Sequence, residues 1–138
     1  MDTRDKLMGL ISDGIDVTKI SDNSNKSILI RGCDPEMGRR AIELLTPVLG
    51  NPEMVAVTND DDFITELHKK KWSVIHFAPG ACRYDSIQSP IPGSRTQTKG
   101  WGLTEYKTLV KEHQGQDIKI VETVYETQIV PLLIKALL

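Results

Sequence analysis

Short apolar runs alternate with amphipathic stretches along this chain. Runs that are apolar at nearly every position, rather than at every second one, are typical of strands buried on both faces, as in a parallel sheet. Four runs are predicted as strands, at 28–30, 54–57, 74–77 and 118–125. Apolar residues recur at helical spacing between them, and helices are predicted over 3–15, from 35 to about 49, from about 60 to 71, over 103–113 and over 127–138.

The helix that follows the first strand has the clearest start signal. Asp34 can accept backbone N–H groups as N-cap, Pro35 suits the first helical position, and Glu36 favours the positive end of the helix dipole. The predicted inward positions are Met37, Ala41, Leu44, Leu45 and Val48. The same logic starts the second helix in the polar run 59–62, which we interpret as a cap.

The order of elements, β-α-β-α-β-loop-α-β-α, predicts a three-layer α/β/α sandwich around a four-stranded parallel sheet. We expect strand order 2-1-3-4, with the fourth strand at an edge because Lys119 and Glu122 are charged. This architecture resembles the flavodoxin- and Rossmann-like folds. It lacks a dinucleotide fingerprint, because residues 31–36 read Arg-Gly-Cys-Asp-Pro-Glu and not G-x-G-x-x-G. Ligands of such sheets bind beyond the carboxyl ends of the strands, where the strand order changes direction.

Composition fits a single soluble domain over 1–138, with 1–26 as an N-terminal helix and linker. The chain has 17 basic and 19 acidic residues and a formal net charge of -2, which does not indicate general binding to nucleic acid or to a membrane. We expect a cytoplasmic protein with free thiols, since the N-terminus lacks a secretory signal and two cysteines form no disulfide framework. Neither the cysteines nor the histidines show metal-ligand spacing, and no cofactor is expected.

The stretch 78–102 is the predicted functional loop. It is rich in glycine and proline, has no helical or alternating period, and is long for a loop inside a compact domain. Its basic residues outnumber its acidic ones, so an anionic ligand could be held by arginines and by backbone amides near glycine. The candidate ligand-binding residues are Gly80, Arg83, Tyr84, Arg95, Lys99 and Trp101. The alternative interpretation is a solvated loop without a specific ligand.

Four residues are candidates for catalysis: Cys82, Cys33, His76 and Asp85. The spacing from Cys33 to Arg39 resembles the phosphate loop of the tyrosine phosphatases, in which the cysteine attacks phosphorus and the arginine binds phosphoryl oxygens. Asp34 and Glu36, however, bring negative charge to that loop, which favours a capped helix after a buried strand. The strand and helix rhythm also resembles phospho-receiver domains, but Ala78 stands where their phosphoacceptor aspartate would be.

Two functions remain open at the level of sequence. The favoured one is a binding or regulatory module with an anionic, phosphate- or nucleotide-like ligand at 78–102. Its nearly all-apolar C-terminal helix could also contact a protein partner or a second copy of the chain. The alternative is a small enzyme acting on a phosphorylated or nucleotide-like substrate, with Cys82 or Cys33 as nucleophile.

Overall fold

The computed structural model describes residues 22–32, 34–78, 103–123 and 126–138. Within these ranges, strands and helices alternate along the chain. The strands are β1 (Ser27–Arg31), β2 (Glu53–Val57), β3 (Val74–Phe77) and β4 (Lys119–Glu122). The helices are α1 (Pro35–Val48), α2 (Asp60–Lys69), α3 (Leu103–Gln114) and α4 (Ile129–Ala136), and a 3-10 turn at Glu126–Gln128 precedes α4. None of these helices combines the length and the hydrophobicity needed to cross a bilayer.

The four strands form one parallel sheet in the order β2-β1-β3-β4, which confirms the predicted topology. Every residue of β1 and of β3 is buried, as their almost uninterrupted apolar sequences predicted. The two edge strands are partly exposed, and both charged residues of β4, Lys119 and Glu122, are exposed. The prediction that the charged fourth strand lies at an edge is therefore confirmed.

Helices cover both faces of the sheet and create two separate cores. On one face, α1 and α4 pack on the alternate strand residues that include Ile28, Ile30 and Val74. On the other face, α2 and α3 pack on residues that include Leu29 and Ile75. Alternation of side chains along each strand sends neighbours to opposite faces. The molecule is therefore a three-layer α/β sandwich, as expected from the sequence.

The predicted boundaries of α1 are set by local chemistry. The Asp34 carboxylate accepts hydrogen bonds from the backbone N–H groups of Glu36 and Met37, as an N-cap does. At the other end, Gly50 and Asn51 have φ values of 87° and 63°, which reverse the chain toward β2. Pro47 lies inside the helix, one residue before its end.

Several predicted details are wrong at the level of single residues. Met37 was expected to face inward but is 37% exposed, since it lies in the first turn of α1 at the rim of the core. Strand β4 ends at Glu122, three residues earlier than predicted. The last helix begins at Ile129 after a 3-10 turn. The helix predicted over 3–15 lies outside the described residues.

The apolar composition of α4 reflects packing against the sheet. Val130 and Leu133 are fully buried, and the partly buried Leu132 and Ile134 pack against the same core. Leu138, after the helix, is 86% exposed. A protein partner or a second copy of the chain at this helix stays a prediction.

Candidate functional site

The carboxyl edge of the sheet is where the chain changes direction. From β1 the chain passes through α1 to β2, which lies on one flank of the β1 and β3 pair. From β3 it passes through α3 to β4, which lies on the opposite flank. Backbone hydrogen bonds continue past the strand ends: the N–H of Gly32 donates to the Val57 carbonyl at 2.9 Å, and that of Ala78 donates to the Arg31 carbonyl at 3.0 Å. This divergence between adjacent parallel strands is a topological switch point.

A buried ion pair lies at this edge on the α2 and α3 face. Nε and Nη2 of Arg31 donate to Oδ1 of Asp60 at 3.2 and 2.9 Å, and the Tyr106 hydroxyl donates to Oδ2 at 2.7 Å. Arg31 also donates to the carbonyl of Gly32. All three side chains are at most 1% exposed. The end of β1 is thereby fixed to the first residue of α2 and the second turn of α3.

His76 occupies the opposite face of the same edge. It lies between Ile30 of β1 and Val121 of β4, and its Nε2 is 2.9 Å from the Thr123 hydroxyl. That hydroxyl donates to the Phe77 carbonyl at 3.3 Å, so we assign the imidazole proton to Nε2. Nδ1 is then a buried acceptor, and no described residue donates a hydrogen bond to it.

Burial determines the charge of His76. The ring is removed from water, which disfavours the protonated form and lowers the pKa of His76 from 6.5 to about 4. The imidazole is therefore neutral at pH 7. With only 2% of the residue exposed, it packs and hydrogen-bonds inside the protein, and its assignment as a catalytic base stays a prediction.

The start of α1 does not arrange Arg39 as in a phosphate loop. The Arg39 guanidinium donates to Glu36 at 2.6 Å and to Glu43 at 2.6 Å, on the exposed side of the helix. These hydrogen bonds raise the pKa of Arg39 and lower that of Glu36. Arg39 is thus engaged with its own helix, in agreement with the interpretation of this segment as a capped helix start.

His76 is the one predicted site residue that falls within the described ranges. The other predicted site residues lie outside them: Cys33, Gly80, Cys82, Arg83, Tyr84, Asp85, Arg95, Lys99 and Trp101. Ala78 follows β3 at the carboxyl edge, and α3 begins at the same edge, because its Tyr106 contacts Asp60. The described residues on either side of 79–102 therefore both lie at the carboxyl edge of the sheet. Among the described residues, no three or more His, Cys, Asp or Glu gather as metal ligands would.

Sequence reasoning missed Arg31, Asp60 and Tyr106 as a group. We expected 59–62 to be a helix cap, and Asn59 does cap α2 by accepting from the N–H of Asp62 at 2.8 Å. Asp60 instead turns inward to Arg31. One signal was available: an arginine directly after three apolar residues in a buried strand needs a buried anion as partner.

The fold and this edge define the class of protein, a three-layer α/β protein with a parallel sheet and a switch point between β1 and β3. Comparisons with protein-family models, curated proteins and solved structures found no match to the chain.

Proposed function

We propose that this protein is a cytoplasmic binding or regulatory module that takes an anionic, phosphate- or nucleotide-like small molecule at the carboxyl edge of its sheet. The observation that carries the proposal is the switch point between β1 and β3. In open parallel sheets, ligands bind in the crevice that such a divergence leaves outside the strand ends.

The charge for an anion would come from 79–102. At the edge itself, the guanidinium of Arg31 is already neutralised by Asp60, so it adds little net positive charge. In contrast, Arg83, Arg95 and Lys99 outnumber Asp85 in the sequence between Ala78 and α3. Arginine binds phosphate or carboxylate oxygens through two parallel hydrogen bonds, which suits an anionic ligand.

Thermal unfolding in the presence of ADP, ATP, inorganic pyrophosphate and sugar phosphates tests this proposal. A compound that binds only the folded protein raises its melting temperature by mass action. We expect at least one of these anions to do so, and Arg83→Ala combined with Arg95→Ala to abolish the shift.

Arg39→Ala combined with Arg40→Ala is the matched control, because it removes the same charge from an exposed ion-pair network on α1. Exposed pairs contribute little to stability, so the control should fold and keep the ligand shift. The proposal fails if no anion stabilises the protein, or if both double variants lose the shift equally. If phosphorus NMR showed that the protein consumes a stabilising compound, the enzymatic alternative would be favoured.

A further inference from the structure

His68 and His113 form a pair of exposed imidazoles on two neighbouring helices. His68 lies in the last turn of α2 and His113 in the last turn of α3. Their ring centroids are 4.2 Å apart, with the ring planes at 67°. Both residues are exposed to solvent, so their ring nitrogens are accessible from outside.

Buried hydrogen bonds of the Gln114 side chain hold together the two helix ends that carry these histidines. Its Nε2 donates to the carbonyls of Leu67 and Lys70, at 2.8 and 2.9 Å, and its Oε1 accepts from the Trp72 N–H at 2.7 Å. Gln114 follows His113 directly, and Leu67 precedes His68. The two helix ends therefore cannot separate without breaking buried hydrogen bonds, which preorganises the imidazole pair.

We propose that His68 and His113 bind one divalent transition-metal ion of the imidazole-preferring class, such as Zn²⁺, Ni²⁺ or Cu²⁺. Neutral imidazole is a preferred ligand of these ions, whereas Mg²⁺ and Ca²⁺ prefer carboxylate and carbonyl oxygen. Two imidazoles bound to one ion at about 2.0–2.1 Å place their centroids about 5 Å apart. The observed separation of 4.2 Å is slightly shorter, and the rings pack edge to face. To bind one ion, the exposed side chains would rotate so that one nitrogen of each ring faces it.

The electrostatic surroundings permit a cation at this position. Both helices end here, and the carboxyl end of a helix carries partial negative charge. Three lysines near the end of α2 are paired with acids: Lys69 with Glu66 at 2.7 Å, Lys70 with Glu53 at 2.7 Å and Lys71 with Asp117 at 3.7 Å. Water would complete the coordination beyond the two histidines.

Isothermal titration with ZnCl₂, NiCl₂ and MgCl₂ in chelator-free buffer tests the site on the full chain. We expect Zn²⁺ and Ni²⁺ to bind and Mg²⁺ not to bind. His68→Ala and His113→Ala should each weaken binding by at least about tenfold, the loss seen when even an outer partner of a metal site is removed. Electron paramagnetic resonance of the Cu²⁺ complex should show two coupled imidazole nitrogens in the unmodified protein and one in each variant.

Lys69→Ala is the matched control, because it alters the exposed residue next to His68 and leaves both imidazoles in place. This variant should bind Zn²⁺ and Ni²⁺ as tightly as the unmodified protein, or more tightly because a positive charge is removed. Unchanged affinity in both histidine variants would overturn the proposal, since the thiols of Cys33 and Cys82 or the amino terminus would then hold the ion. Failure of Zn²⁺, Ni²⁺ and Cu²⁺ to bind at all would overturn it as well, and would show that the two rings only pack.

Discussion

At the scale of single residues, two polar side chains are buried at the carboxyl edge, one charged and one neutral. Arg31 is charged and has a buried anionic partner, whereas His76 is neutral and has one unpartnered ring nitrogen among the described residues. Burying an unpaired charge costs far more than burying a hydrogen-bonded neutral group. Each arrangement therefore predicts its own response to substitution or to pH.

His76 makes stability depend on pH. Its pKa is lowered from 6.5 to about 4 in the folded protein, so the unfolded chain binds more protons between these values. Well above pH 6.5, His76 should not lower the free energy of unfolding. As the pH drops from 6.5 toward 4, protonation of His76 in the unfolded chain should lower it. Its contribution to the loss is at most about 3 kcal/mol.

Urea denaturation of the unmodified protein and of His76→Gln between pH 7.5 and 4.5 measures this contribution. Glutamine does not titrate, so the variant should lose less stability over the interval, although carboxylates lower both curves near pH 4.5. Parallel curves for the two proteins would show that His76 is protonated as easily in the folded state as in the unfolded one.

The Arg31 and Asp60 pair predicts non-additive substitutions. Removing one member leaves the other charge buried, which costs about 3–5 kcal/mol. We expect Arg31→Met and Asp60→Leu each to lower the free energy of unfolding by about that amount. The double substitution should cost clearly less than the sum, because it leaves neither charge buried. Additive losses in urea denaturation would mean that the two charges do not stabilise one another.

At the scale of elements, the sequence predicted those features that are set by residues close to one another in the chain. The parallel direction of the strands followed from buried apolar runs such as Ile28, Leu29 and Ile30 alternating with helices, and the start of α1 followed from Asp34. The expected strand order was one of the few that right-handed crossovers allow. Contacts that join distant elements were not predictable, because nothing near Gln114 in the sequence shows that it meets the end of α2. The same holds for Asp60, whose partner Arg31 is 29 residues away. The site residues within 79–102 stay predictions.

Gln114 predicts how strongly α2 and α3 depend on one side chain. Its removal leaves the buried N–H of Trp72 and the carbonyls of Leu67 and Lys70 without this partner. An unsatisfied buried group costs about 1–3 kcal/mol, so Gln114→Ala should destabilise the protein by at least that amount. Gln116→Ala changes an exposed glutamine two residues later and should shift stability by less than about 0.5 kcal/mol. Equal effects in chemical denaturation would contradict the structural role of Gln114.

At the scale of the whole molecule, the carboxyl and amino ends of the strands differ in what lies beside them. The carboxyl edge contains the switch point and the described residues that flank 79–102. At the amino ends of the strands, the Ser73 N–H donates to the Ser27 carbonyl at 3.0 Å, and the chain turns at Gly115, whose φ is 99°. We therefore expect an anionic ligand at the carboxyl edge, where the strand order changes direction.

Nuclear magnetic resonance titration of the isotopically labelled protein with ADP and with inorganic pyrophosphate tests this placement most directly. We predict that the amide signals of Gly32, Ala78 and Leu103 shift with saturation, while those of Ser73 and Gly115 stay unchanged. Shifts concentrated at Ser73 and Gly115, or no saturable shift with either compound, would contradict an anion site at the carboxyl edge.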